Sequence, residues 1–400
     1  MKKSLTVIRW IVGLLFIFSG LIKANDPLGL SYKMQEFFEV WNLQSLNDYS
    51  LALSLVMNVF EVLAGVAVII GWRMRLFSWL LLLLIIVFCF LTAYAYLSGN
   101  IKTCGCFGDC IPLTPLTSFI KDVILLILIL VLFVNRNNIV SSLPMPLPQI
   151  LLVVCITGVA WIQSYALDHL PFKDCLPFRT GTNIIESMRV PTGAKPDSFA
   201  LTFKYKKNGE IKEFDANSFP ADFDSTYEFV DRYQKLVKKG SDAPAIADFS
   251  LQTMNGADVT VPVLNQGNYY VMLLVNDFSN YKEWRNKDFD TLLNKLNAKH
   301  LPFVIVTSDK NKAAELFGSN KNIHILLSDG TVIKTAARVN PTYFIMQLAN
   351  IKGKYSYRDI DKVLEQIGRV PVDEDYDESG DSFNPTDTLP ICSSTLSISR

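Results

Sequence analysis

Three cysteines, Cys104, Cys106 and Cys110, stand within seven residues in the segment NIKTCGCFGDCIPLTP. An isolated cysteine is ordinarily a small buried hydrophobe. Three in one polar loop point to chemistry of another kind. A zinc site needs four ligands, with paired cysteines commonly two to four residues apart. Here one residue separates Cys104 from Cys106, and the histidine placed to help is the distant His169. Metal binding is the least favoured use, and no metal is assigned. A structural clip is a second use, with two of the three bonded and Cys175 available to the third. Thiol–disulfide exchange is the third. A Cys104-Gly105-Cys106 disulfide closes a very small ring, and a distorted, exposed disulfide is readily reduced. Gly105 and Gly108 supply the backbone freedom such a loop needs. On this reading Cys104 and Cys106 are the reactive pair and Cys110 is the helper thiol. Their thiolate character would depend on Lys102 and the N-terminus of the next helix.

The elements that must hold this loop are apolar. Five runs, at about 7–21, 51–71, 76–97, 116–134 and 150–167, are long and apolar enough to be expected to cross a bilayer. The first is short, but no small-residue cleavage site follows it and four further runs do, so it is not taken as a signal peptide. Residues 1–168 hold 10 Lys/Arg and 8 Asp/Glu, against 28 and 30 in residues 169–400, so a membrane half precedes a water-facing half. The net charge of zero points to no nucleic-acid partner. Lys2, Lys3 and Arg9, then Arg73 and Arg75, then Arg136 fall at alternate ends of the runs. The rule that basic loops stay inside predicts that the cysteine loop and everything after the fifth run face outward, where disulfides persist.

Two further features belong to the membrane half. Met34, Phe37, Phe38 and Trp41 recur at helical spacing, which predicts an amphipathic helix lying in the interface or capping the bundle. Glu61 sits about 15 Å into the second run. A carboxylate there must face the bundle interior and find a partner. Lys121, beside Asp122 at the outer end of the fourth run, is the expected one, in a structural pair or in proton handling. Cys89 and Cys155 lie inside spans and are expected to be packing residues, and Cys392 receives no role.

The water-facing half alternates strands and helices. A Pro- and Gly-containing stalk follows the fifth run, and a hairpin is predicted around Asn208-Gly209. A helix is expected over 225–238. Buried strands are expected at NYYVMLLVND, LPFVIVTSD and NIHILLSDG, with a helix over 281–299, a short helix over 311–317, two strands around Lys352-Gly353 and a closing helix over 358–367. From 371 the chain is acidic and is expected to be disordered.

The motif CGCFGD, followed by PLTSFIKD and an apolar run, resembles the MauE-like branch of the DoxX superfamily. So do GLLFIFSGLIKANDPLG and Glu61 with Gly65 and Gly71. The resemblance covers about residues 1–140 and implies a bacterial inner-membrane four-helix bundle, with Cys104 and Cys106 as the motif pair. The family is implicated in maturing a disulfide-rich dehydrogenase. The bundle is also similar in layout to vitamin K epoxide reductase, which makes a quinone the plausible electron carrier. Residues 243–368 resemble the thioredoxin/peroxiredoxin fold through APAIADFSL, YYVMLLV and RVNPTYFIM. That likeness implies a cis Asn340–Pro341 bond. NDFSNYKEW stands where a thiol site would be, and no cysteine occurs between Cys175 and Cys392, so thiol chemistry by this domain alone is excluded.

The expected organisation is a DoxX/MauE-like four-helix membrane domain at 1–140, a fifth transmembrane helix at 141–168, a periplasmic stalk with hairpin and helix at 169–240, a thioredoxin-like domain at 241–370 and an acidic tail at 371–400. The expected function is thiol–disulfide exchange on envelope proteins bearing thiols or disulfides, at the periplasmic face of the bacterial inner membrane. The alternative is a non-catalytic envelope scaffold whose cysteines form a structural disulfide.

Overall fold

A computed structural model describes residues 2–99, 101, 103, 105–190, 198–207, 210–215, 227–238, 244–320 and 322–371. The first half is helical: α1 Lys2–Asn25, α2 Pro27–Val40, α3 Ser50–Ile70, α4 Met74–Ser98, α5 Pro115–Val134 and α6 Leu147–Asp168. Among the described residues, five helices are long and apolar enough to cross a membrane, one for each expected run. The short helix α2 is the sixth.

Glycines decide how closely the bundle packs. A Cβ on Gly65 of α3 would lie 2.6 Å from the Gly13 carbonyl of α1, and one on Gly13 would lie 2.7 Å from the Gly65 carbonyl. One on Gly20 would lie 3.0 Å from the Asn58 carbonyl. Small residues at such a seam let two backbones touch, the usual device where lipid provides no hydrophobic drive between helices. At one end of the bundle Arg9 donates through Nε to the Val68 carbonyl (2.9 Å) and through Nη2 to that of Ile69, closing the C-terminus of α3. Arg75 donates to the Asn137 side chain at the same end. At the other end Asn25 donates to the Lys173 carbonyl (2.9 Å), which gathers the α1–α2 junction and the segment after α6 on one face.

The amphipathic helix appears as α2, started by Asp26 at its N-cap and Pro27 in its first turn. It packs against the bundle. Ser54 donates to the Pro27 carbonyl (2.7 Å), Ser31 and Ser50 share a hydrogen bond (2.8 Å), and Phe37 is buried.

A three-stranded antiparallel sheet follows the helices, with β1 Ser198–Lys207, β2 Glu210–Asp215 and β3 Glu228–Lys238 in the order β2-β1-β3. The strands β1 and β2 flank Asn208-Gly209, pairing from Lys207 with Glu210 to Thr202 with Asp215, as the hairpin reading predicts. The turn residues themselves lie outside the described residues. The helix expected over 225–238 is a strand over Glu228–Lys238. Its apolar residues fit either period, its Phe, Val and Tyr favour strands, and long-range pairing with β1 decides.

The second sheet has five strands, β4 Tyr270–Val275, β5 Phe303–Thr307, β6 Ile323–Leu327, β7 Thr342–Gln347 and β8 Asn350–Ser356, in the order β6-β5-β4-β7-β8. The strands β4, β5 and β6 are parallel, and β7 and β8 are antiparallel to their neighbours. All six residues of β4 are buried. Tyr270, Met272 and Leu274 face one core, and Val271, Leu273 and Val275 the other. The helices are α7 Ile184–Met188, α8 Thr260–Leu264, α9 Tyr281–Trp284, α10 Lys287–Ala298, α11 Lys310–Phe317, α12 Gly330–Ala336 and α13 Ile360–Arg369. The single helix expected over 281–299 is two, because Asn286 breaks the first and caps the second, accepting from the Asp288 and Phe289 amides. The turn expected at Lys352-Gly353 lies earlier, at Leu348-Ala349, both at positive φ. The Asn340–Pro341 bond entering β7 is cis, as expected. The described stalk residues Phe178 and Ile184 pack into the sheet's core, and Gly181 donates to the Ile351 carbonyl of β8 (2.7 Å). Residues 372–400, including Cys392, lie outside the described residues.

Candidate functional site

The cysteine loop rests on three helices. Gly105 has φ +70, and from it runs a tight turn in which Gly108, φ +57, donates to the Gly105 carbonyl (3.0 Å). Only glycine adopts such angles without strain. Ser19 of α1 donates to the Cys106 carbonyl (2.9 Å). The Phe107 ring lies 5.7 Å from that of Phe18, and the Lys121 ammonium of α5 sits 5.1 Å from its centre. Gly105 lies against the Lys33 stem on α2, where a Cβ would come within 3.1 Å.

Cys106 is a free, half-buried thiol. It lines a cavity of about 90 Å³ with Lys23, Met34, Phe37, Met57 and Phe88, roofed by α2. Burial pushes the Cys106 thiol above its ordinary pKa, and neighbouring Lys121 pulls it back only in part. In this arrangement Cys106 is held as a thiol rather than a thiolate, the less nucleophilic form. Cys104 lies outside the described residues, so the expected Cys104–Cys106 pairing does too.

Cys110 is not beside Cys106 as a spare thiol. It is bonded to Cys175, 65 residues on. The helper role expected for Cys110 is therefore replaced, in this state, by a cystine that ties the loop to the segment after α6. Cys175, the other expected candidate, is accounted for by the same bond. Cys89 and Cys155 are free and half-buried in α4 and α6.

The expected partner of Glu61 is corrected. Glu61 pairs with Lys23 of α1, both sealed from water, and Lys121 pairs with its neighbour Asp122 (2.7 Å). The glycine seam is the reason. Lys23 lies three residues beyond Gly20 and Glu61 four before Gly65, so the close approach of α1 and α3 brings the two charges together. The Lys23 ammonium also sits 5.4 Å from the centre of the Phe88 ring. Asn58 donates to Gln163 of α6 (3.0 Å), adding a second buried polar contact one turn from Glu61. Glu61 Oε2 has no hydrogen-bond partner among the described residues.

The sheet domain reaches this site through residues that sequence patterns did not single out. Arg338, between α12 and β7, donates through Nε to both carboxylate oxygens of Asp26 (3.1 and 2.9 Å) and through Nη2 to Asp109 (2.5 Å). Its guanidinium also lies 5.4 Å from the Tyr32 ring centre. Lys354 of β8 pairs with Asp174 (2.7 Å). Burial lowers the Lys354 pKa, and Asp174 offsets part of that. Ser356 donates to the Asp168 carbonyl (2.6 Å), and His169, the histidine weighed as a ligand, is turned to Asp359 (3.1 Å). One sequence signal was available. Both cysteines of the disulfide are preceded by aspartate, Asp109-Cys110 and Asp174-Cys175.

Comparison with known families gives two matches. The model described as methylamine utilisation protein MauE matches residues 1–135. A domain of unknown function (DUF8463) matches residues 199–239, the span of β1 to β3. No curated protein and no solved structure matches the chain. The first match covers the cysteine loop, the Lys23–Glu61 pair and four of the five long helices. The chain thus carries a MauE-like membrane domain and is a multi-pass membrane protein with an α/β domain behind it.

Proposed function

We propose that this protein performs thiol–disulfide exchange at the outer face of the bacterial inner membrane, with Cys104 and Cys106 as the exchanging pair. The observation that carries the reading is Cys106 itself, a free thiol on a glycine-hinged loop and in the lining of a largely apolar cavity. Because burial disfavours its thiolate, Cys104 is assigned the attacking sulfur and Cys106 the resolving one. The Cys104 thiolate attacks one sulfur of a partner's disulfide. The partner's S–S bond breaks, its second sulfur leaves as a thiolate and takes a proton, and a mixed disulfide forms. Cys106, losing its proton, then attacks the Cys104 sulfur and releases the partner as a dithiol. The reverse reaction oxidises a partner through the same intermediate. Resetting the pair moves two electrons and two protons, and a membrane-soluble quinone is the class of carrier suited to that. No residue is assigned to bind it.

The basic residues at alternate ends of the spans support an outward-facing loop in the periplasm, and periplasmic proteins with thiols or disulfides are the partners. The order β6-β5-β4-β7-β8, with β7 and β8 antiparallel to their neighbours, supports a thioredoxin-like reading of the sheet domain. With no cysteine between Cys175 and Cys392, its part would be to hold or present a partner.

The Cys110–Cys175 bond favours a second reading, a non-catalytic envelope scaffold clipped by a structural disulfide. Trapping separates the two. Cys106→Ala removes the resolving sulfur, and with Cys110 engaged, mixed disulfides should accumulate on non-reducing gels without further substitution. If Cys106→Ala and Cys104→Ser alike capture nothing and alter only thermal stability, the scaffold reading stands.

A further inference from the structure

We infer that Arg338 is a positioning residue for the thiol loop, and that through it the thiol-free α/β domain clamps that loop onto the bundle. Two cations from one side of the sheet domain flank one disulfide. Arg338 pairs with Asp109, the residue before Cys110, and Lys354 with Asp174, the residue before Cys175. Both side chains are nearly sealed, 5 % and 2 % exposed. A buried cation is tolerated only where its counter-charges are in place, and removing one partner leaves the other charge uncompensated. Docking of the domain is therefore tied to the position of the two aspartates. Arg338 also grips Asp26, which caps α2 through the Gly29 amide (3.1 Å). One guanidinium thus joins the roof of the Cys106 cavity to the loop that carries Cys106. Arginine suits this task, since its planar fork holds five donors in fixed directions toward two carboxylates, whereas an ammonium is a compact, strongly hydrated point charge. The loop is hinged at Gly105 and Gly108, so its placement depends on contacts outside its own backbone. With the clamp engaged, Cys106 is kept half-buried as a thiol, and releasing the clamp admits water and reagent to it.

The test needs no partner protein, so its result is independent of the exchange reading. The full chain in detergent, with Cys104→Ser to leave Cys106 unpaired, is treated with iodoacetamide. Alkylation at each cysteine is followed by peptide mass spectrometry. Arg338→Gln and Asp109→Asn should each raise the rate at Cys106 at least tenfold and leave Cys89 and Cys155 unchanged. Arg338→Lys should fall between. Arg369→Gln, which removes an exposed pair within α13, should change nothing. Should Arg338→Gln misfold, Cys89 and Cys155 would accelerate with Cys106, and Asp109→Asn, on a half-exposed turn, would carry the test. Rates at Cys106 within twofold of the unaltered protein for Asp109→Asn, with or without a folded Arg338→Gln, would overturn the inference.

Discussion

Lys23 and Glu61 form an ion pair in the interior of the helical bundle, with neither side chain reaching water. The pair exists because glycines line the α1–α3 seam, and it ties that seam together beneath the thiol loop.

Breaking this pair from one side should be costly. A buried charge left without its partner destabilises by about 3–5 kcal/mol, whereas replacing both members with apolar residues of similar volume is often neutral. Glu61→Ala should therefore lower the denaturation midpoint in detergent sharply, and Lys23→Met with Glu61→Leu should recover most of the loss. If the double variant also retains partner trapping, the pair is structural. Recovered stability with lost trapping would give the charges a part in proton handling.

The seam itself is open to test at Gly65. An alanine methyl there would press on the Gly13 carbonyl at 2.6 Å, which backbone atoms can relieve only by parting the helices. Overpacking of this kind costs about 1–3 kcal/mol. Gly65→Ala should lower the midpoint accordingly. Gly158→Ala, on α6 with nothing within 4 Å, should leave it unchanged.

The Cys110–Cys175 bond encloses α5 and α6. In water a loop of this length would give a disulfide about 4 kcal/mol of entropic stabilisation. The two helices stay inserted when tertiary contacts are lost, so less entropy is left to restrict. Cys110→Ser with Cys175→Ser should accordingly cost well under that figure, measured as the midpoint in detergent without reductant.

Acid should weaken the sheet domain. The Asp258 carboxylate accepts from the Thr260 hydroxyl and amide, and Asp329 accepts from the Thr331 and Val332 amides, holding both below the ordinary carboxylate pKa. The unfolded chain then binds more protons than the folded one as pH falls through that range. The contribution is fully present above the unfolded carboxylate pKa and is lost as pH drops through the folded values. Near-UV circular dichroism during denaturation at pH 6 and pH 3 should show the loss, and Asp329→Asn should reduce its size.

Much of the architecture was legible because it depends on short-range regularities. Apolar runs of about 20 residues specify spanning helices whatever surrounds them, and Asn208-Gly209 between alternating residues specifies adjoining strands. The unbroken apolar stretches of β4 and β5 and the proline opening β7 were readable for the same reason. What failed or was missed depends on residues far apart in the chain. Whether 228–238 is helix or strand was settled by pairing with β1, since its apolar positions satisfy both periods. Lys23, rather than Lys121, meets Glu61 because glycines on two separate helices permit contact. Cys110 meets Cys175 rather than serving Cys106 because the ends of α5 and α6 return to one face. Arg338 carries no local signal at all, and its role arises only where the folded sheet domain sets it between Asp26 and Asp109. Local propensity selects the elements, whereas close packing and the need to neutralise buried charge select which side chains meet.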